Sequence, residues 1–270
     1  MTAVATPPPI QTAWPTRRLF GVPIQALTMD QVLEIADSAV RARSTLNIGV
    51  VNAAKIVNMR RDEELDRAVR ESDLILADGM SVVWASRLLR RRLPERVPGI
   101  DLMFRLLEHG RDRGYRVYCL GATQEVLDTV VARIRDEYPG VVLAGSHHGY
   151  FGPDEEQRVA DDIHAARPDI LFVAITSPKK ERFLARWKER IDVPVRHGVG
   201  GSFDVLAGKV RRAPRMWQKL GLEWLFRVIQ EPRRMWRRYL VTNTVFCAMV
   251  LREMVAGLLP RHAQAGTGSG

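Results

Sequence analysis

Six short apolar runs alternate with longer segments of helical periodicity, and that alternation restricts the chain to one fold class. The runs are 46–51 (LNIGVV), 73–78 (DLILAD), 115–120 (YRVYCL), 141–144 (VVLA), 169–175 (DILFVAI) and 193–199 (VPVRHGV). Helical segments are read at 28–43, 53–71, 81–92, 101–113, 125–138, 153–167 and 179–190, the first opened by Thr28 with Gln31 three residues on, the spacing of a capping box. Strands separated by single helices form βαβ units and a mainly parallel sheet. Crossovers of one hand then place helices on both faces. The expectation is a Rossmann-like α/β domain, preceded by a short strand or hairpin at Arg18 to Leu27.

The chain ends differently. From Lys209 to Arg238 there are ten basic residues against Glu223 and Glu231, interleaved with Trp217, Trp224, Phe226 and Trp236. Much of the formal net charge of +10 therefore sits in one C-terminal segment. Met216 to Gln230 reads as a helix, and Pro232 suits the first turn of a last helix reaching about Gly257. The organisation read from this is a flexible leader at 1–17 with three consecutive prolines, a catalytic domain at 18–208, a basic, aromatic helical appendage at 209–258 and a flexible tail at 259–270. No run reaches the roughly 18 apolar residues of a spanning helix; the nearest, Tyr239 to Leu251, is interrupted by Thr242, Asn243 and Thr244. Cys119 and Cys247 fit no disulfide or ligand framework, which points to a reducing, cytoplasmic compartment.

Ligands of open α/β sheets bind at the carboxyl ends of the strands, so those ends hold the candidate site. Asp78 closes an apolar run and is followed at once by Gly79; it is read either as a helix cap or as a reacting carboxylate. Asn52 can cap a helix or present its amide to a ligand. Gly121 and Thr123 form a turn into a helix N-terminus where phosphate binds readily. Gly200, Gly201, Phe203 and Asp204 follow the last strand, but Phe203 stands where a dinucleotide fingerprint needs glycine, which removes the best support for NAD. Arg96 and Asp101 bracket Val-Pro-Gly-Ile, where the guanidinium offers a fork for a diphosphate. Lys180 and Glu181 lie just after another strand end. His147 and His148 are read as a loop pair, since no further metal ligand stands beside them.

Taken together, Ala77-Asp78-Gly79-Met80, Arg96-Val97-Pro98-Gly99-Ile100-Asp101, His148-Gly149-Tyr150-Phe151, Ser177-Pro178-Lys179-Lys180-Glu181 and Gly198 to Asp204, continuing as LAGKVRRAP and GLEWLFR, resemble the WecG/TagA/CpsF glycosyltransferases (glycosyltransferase family 26). The resemblance runs from about Leu19 to Met254. It implies an inverting enzyme that moves a sugar from a UDP-sugar to a polyprenyl-diphosphate-linked saccharide, with no metal or other cofactor. It also implies a cytoplasmic protein lying peripherally on the inner face of the cell membrane. Asp78 would be the general base, Arg96 would offset charge on the diphosphate, and the other candidates above would contact substrate.

Two positions depart from the family pattern. Val50-Val51-Asn52 stands where many relatives carry Thr-x-Asn, and Pro178-Lys179-Lys180-Glu181 where many carry Pro-Lys-Gln-Glu. The added cation at Lys180 favours an anionic partner such as a uronic-acid sugar or a phosphate. In the appendage, Arg211, Arg212, Arg215, Arg233, Arg234, Trp236, Arg237 and Arg238 are expected to meet an anionic membrane surface. A nucleic-acid-binding module and a nucleotide-dependent oxidoreductase are the alternatives; the first lacks a recognisable binding motif and the second lacks its fingerprint. A homo-oligomer is left open.

Overall fold

The computed structural model describes residues 14–258. The expected leader up to residue 13 and the tail from 259 lie outside the described residues. A two-stranded antiparallel hairpin, β1 (Thr16–Leu19) and β2 (Val22–Gln25), precedes the main sheet. Helix α1 (Met29–Ala42) follows with the capping box at Thr28 and Gln31 formed in both directions.

The chain then runs β3 (Leu46–Val51), α2 (Ala53–Met59), α3 (Glu63–Arg70), β4 (Leu74–Ala77), α4 (Met80–Leu88), α5 (Gly99–Arg111) and β5 (Arg116–Gly121). It continues with α6 (Gln124–Glu137), β6 (Val142–His147), a 3-10 turn at Pro153–Glu155, α7 (Glu156–Ala166), β7 (Ile170–Ala174), α8 (Lys179–Arg186), β8 (Val195–Gly198) and α9 (Ser202–Leu206). Strands β3 to β8 form one six-stranded sheet in the order β4-β3-β8-β7-β5-β6, every pair parallel. The Rossmann-like α/β expectation is met.

Strand residues alternate between two buried faces. On β8, Val195 packs in the core layer beneath α1, α5 and α6 with Ile48, Phe172 and Leu102. On the other side, Ile75 and Val51 meet Ile56 and Val57 of α2, while Leu171 and Val173 meet Phe183 and Ile163. A fully buried side chain of this size contributes roughly 1.5–3 kcal/mol relative to exposure, so near-continuous apolar strands are what a sheet covered on both faces requires.

Two helices expected as continuous are broken. The segment 53–71 splits at Arg60-Arg61-Asp62, because Asp62 is a better cap than helix interior: its carboxylate accepts from Leu65 N at 2.9 Å and starts α3 anew. The segment 216–230 splits at Gly221 into α10 (Arg215–Lys219) and α11 (Glu223–Gln230). The last helix, α12 (Pro232–Leu258), begins at Pro232 as expected. It lies on α2 and the hairpin, burying Phe246, Met249 and Val250. Phe246 meets Phe20 edge-on at 5.1 Å. Glu253 accepts from Phe20 N and pairs with Arg91, tying hairpin, α4 end and α12 together. By length and mean hydropathy, Met235–Ala256 meets the composition of a spanning helix, which a count of uninterrupted apolar residues does not reveal.

Candidate active site

Asp78 stands at the carboxyl end of β4, its backbone N–H held by Val51 O at 2.9 Å. It does not cap α4; Gly79 occupies the N-cap position and supplies no side chain. The carboxylate instead bridges two other elements. Oδ1 accepts from Gly99 N at 3.0 Å, the first residue of α5, and Oδ2 accepts from Asn52 Nδ2 at 3.3 Å. Asn52 in turn caps α2, its Oδ1 accepting from Lys55 N at 3.0 Å. Asn52 is thus a helix cap whose amide N–H also holds Asp78.

Behind Gly99 lies His197, fully buried on β8. Its Nε2 is 2.9 Å from Gly99 O, and Nδ1 is 3.4 Å from Ile48 O. Burial pushes the imidazole down to about 4, with the two carbonyls opposing that shift, so at neutral pH it is uncharged. The shorter contact fits Nε2–H donating to Gly99 O. His197 therefore fixes the peptide whose N–H holds Asp78.

On the opposite side of the sheet top, Lys180 and Lys55 share one carboxylate oxygen. Glu181 Oε1 is 3.1 Å from Lys55 Nζ and 3.3 Å from Lys180 Nζ, while Oε2 has no hydrogen-bond partner among the described residues. Burial and the charge of Lys55 pull Lys180 down to about 8, against the pull of Glu181 and Asp78. Glu181 is raised by burial but carried down to about 2 by Lys180 and Lys55. The Lys180 side chain lies directly over Gly198: a Cβ there would come within 2.6 Å of Nζ. A side chain at that strand end would therefore have to displace the lysine that covers it.

Two arginines approach from the other flank. Arg96 pairs with Glu223 of α11 at 2.5 Å and reaches Gln218 at 3.4 Å. Arg212 pairs with Asp101 of α5 at 2.6 Å. Burial pulls the Arg212 guanidinium down, but Asp101, with Glu223 and Asp78 adding their charge, lifts it above its ordinary value. Its Nε and Nη2 are buried without a hydrogen-bond partner among the described residues. A cleft of about 770 Å³ opens here, lined by Met80, Arg96, Pro98, Asp101 and Phe104 among others.

Asp78, held at a sheet end by Gly99 and Asn52, stands next to α5, whose Asp101 lines the cleft beside Arg96 and holds Arg212, and comparison with known proteins agrees with the sequence motifs. The model of the "Glycosyl transferase WecG/TagA/CpsF family" matches residues 17–258. The chain belongs to this family.

Among its relatives, an N-acetylglucosaminyldiphosphoundecaprenol N-acetyl-beta-D-mannosaminyltransferase of Bacillus subtilis (strain 168) is 37% identical over 206 residues, covering 76% of this chain and 79% of the relative. A protein of the same description from Bacillus spizizenii (strain ATCC 23059 / NRRL B-14472 / W23) is 37% identical over 188 residues, 70% and 72% of the two chains. This member of the WecG/TagA/CpsF family is a glycosyltransferase, and the nucleic-acid and oxidoreductase alternatives fall away.

Several family-motif residues take positions the sequence did not suggest. Phe203, expected at the ligand, is 1% exposed and belongs to the core under α6. Gly121 (φ +132°) is pressed against the Ala174 backbone, where a Cβ would fall 2.4 Å from a carbonyl carbon. Its requirement is packing between β5 and β7, while Thr123 caps α6. Gly200 takes a left-handed turn (φ +53°), Gly201 caps α9, and Asp204 is half-buried on that helix. Arg212, expected at the membrane, points inward to Asp101. Lys180 is expected to offer its charge to a substrate; instead that charge faces Glu181.

Of the other appendage residues expected at a membrane, Arg211, Arg215, Arg233, Arg237 and Trp236 are exposed. The side chains of Arg234 and Arg238 lie outside those described. His148 accepts from Tyr150 N, and Lys179 donates to the carbonyls of Gly149 and Phe151 at 3.3 and 2.7 Å. The segment after β6 that carries the histidine motif is thereby held against the first residue of α8. The inward role of Arg212 was missing from the sequence reading; Asp101, already a candidate, was the available signal.

Proposed function

We propose that this glycosyltransferase moves an N-acetylmannosamine-type sugar, with inversion, from its UDP derivative to a saccharide carried on a polyprenyl diphosphate. The observation that carries the reading is Asp78, fixed at a sheet end by Gly99 N and Asn52 Nδ2 and near enough to Arg212 for its charge to act on that guanidinium. The activity for which the two Bacillus relatives are named supports the acceptor class.

In this mechanism Asp78 takes the proton from the acceptor hydroxyl as that oxygen attacks the anomeric carbon, and the UDP diphosphate leaves from the opposite face. The Arg96 and Arg212 guanidinium groups are assigned to meet the charge growing on the leaving oxygen. Charge stabilisation is assigned to these guanidinium groups, and no metal or cofactor is invoked. Because the Lys180 ammonium is engaged by Glu181, the donor sugar is read as neutral rather than uronic.

The appendage brings the enzyme to its lipid-linked substrate. Met216, Ile229, Trp236 and Leu240 are exposed beside Arg211, Arg215, Arg233 and Arg237. Each basic side chain near an anionic leaflet contributes about 1 kcal/mol, and the apolar groups add burial at the interface. Docking is read as peripheral because α12 buries Phe246, Met249 and Val250 within the protein, and the cytoplasmic leaflet is the side that the family resemblance implies. The test is incubation with UDP-N-acetylmannosamine and N-acetylglucosaminyl-diphosphate carried on a short prenyl chain, read by mass spectrometry. A disaccharide lipid with inverted anomeric configuration is expected; release of UDP without such a product contradicts the reading.

A further inference from the structure

A second cavity, of about 360 Å³, is lined by Asn52, which holds Asp78 from the α2 side, whereas Gly99 holds Asp78 and Asp101 holds Arg212 from α5. It lies between the α2–α3 turn and the loop from β7 to α8. Its polar wall is formed by Asn52, Lys55, Asn58, Arg61, Asp62 and Ser177. The break in the helix at residues 60–62 creates this wall; a continuous helix would carry the three side chains onward around its axis.

We propose that this cavity receives the terminal sugar of the acceptor, with Asn58 and Arg61 as its specificity-determining contacts. Four observations support the assignment. The volume lies near the lower end of ligand pockets, roughly 300–1,000 Å³, which suits one sugar ring better than a nucleotide. Leu65 and Pro178 are the apolar lining residues, which disfavours a prenyl chain or a base. The charges nearly cancel: Lys55 is held by Glu181, and Asp62 lies beside Arg61. A neutral ring rich in hydroxyl groups fits such a wall, whereas a diphosphate calls for an excess of cations. Finally, the Asn58 amide and the Arg61 guanidinium have no side-chain partner among the described residues, so their donors are available.

Position selects acceptor over donor. In an inverting transfer the attacking hydroxyl and the leaving diphosphate occupy opposite faces of the anomeric carbon. With the diphosphate at Arg96 and Arg212, the acceptor lies on the Asn52 side. Helix α2, which forms this wall, also carries α12, so the lipid end of the acceptor would emerge next to the helix proposed to rest on the membrane. The inference thus rests on the reaction proposed above.

The experiment measures KM for each substrate separately in N58A/R61A, with R61K as the conservative variant and thermal unfolding as the check of folding. UDP-N-acetylmannosamine is the donor, and N-acetylglucosaminyl-diphosphate on a short prenyl chain is the acceptor. The acceptor KM is expected to rise roughly tenfold, from the loss of one or two hydrogen bonds, with the donor KM unchanged and R61K in between. An unchanged acceptor KM, or a donor KM that rises instead, overturns the assignment. If the unaltered chain transfers no sugar at all, the reaction reading fails and this subsite fails with it; transfer by the unaltered chain with the acceptor KM unmoved in the variant removes the subsite alone.

Discussion

Glu181 carries two ammonium groups on a single oxygen, that of Lys180 buried and that of Lys55 partly so, and removing the carboxylate or Lys180 should have opposite consequences. In Glu181→Gln, Lys55 and Lys180 keep their charges with no carboxylate nearby, in positions whose side chains are 16% and 11% exposed. Breaking a buried pair in this way costs about 3–5 kcal/mol. In Lys180→Gln, the remaining Lys55–Glu181 pair is one-to-one. Lys180 titrates near 8 instead of 10.5, so holding it charged at neutral pH opposes folding, and its removal is predicted to leave stability equal or raised by up to about 3 kcal/mol.

The pH dependence has a definite sign. Between about 8 and 10.5 the unfolded chain keeps the Lys180 proton that the folded chain has released, so stability from this group rises with pH across that window. The tyrosines oppose it at the upper end: burial raises Tyr118 to about 12 and raises Tyr115 further. The difference between the unaltered chain and Lys180→Gln isolates the lysine. Urea unfolding at pH 7 and pH 9.5 checks both statements. A Glu181→Gln protein as stable as its parent, or a Lys180→Gln protein destabilised as much as Glu181→Gln, would refute the shared-carboxylate account.

Asn52→Ala should lose the α2 cap, about 1 kcal/mol by urea unfolding, and lower kcat as well, because Asp78 loses one of its two holders; a stability loss with kcat intact would make Asn52 only a cap. Gly198→Ala should destabilise by driving a Cβ into Lys180, and Lys180→Ala in the same chain should restore most of the loss in thermal unfolding. Arg212→Ala is expected to slow transfer by roughly a hundredfold, the scale seen when one charge-stabilising donor is removed, with flotation on anionic vesicles unchanged. Arg233→Glu with Arg237→Glu should do the reverse, weakening flotation on anionic vesicles; retained flotation would remove those two residues from the docking surface.

The sheet was legible because a strand buried on both faces must be apolar throughout, and 46–51, 115–120 and 169–175 satisfy that requirement without ambiguity. Strand ends were legible for the same reason, which is why Asp78, Asn52 and Lys180 could be placed at the crevice before any coordinates. Partners distant in sequence were not. Arg96 finds Glu223 and Arg212 finds Asp101 only once the appendage folds back across α4 and α5, and no local pattern encodes that path. The split at Arg60–Asp62 was hidden by good helix formers on both sides; Asp62 three residues before Leu65 was the one available cue. Phe203 was misread because proximity to glycines suggested a ligand loop, although a large aromatic one residue into a helix more readily turns to the core.

The central claim is that Asp78 removes the acceptor proton. Asp78→Asn retains an oxygen able to accept from Gly99 N and changes little in volume, so the fold should survive while proton transfer is lost. The decisive measurement is kcat for sugar transfer from UDP-N-acetylmannosamine to the prenyl-diphosphate acceptor in this variant, with unfolding followed in parallel. A loss of roughly 10²–10⁴-fold with an unchanged unfolding midpoint is the predicted result; turnover within a few-fold of the parent would contradict the assignment of Asp78 as the general base.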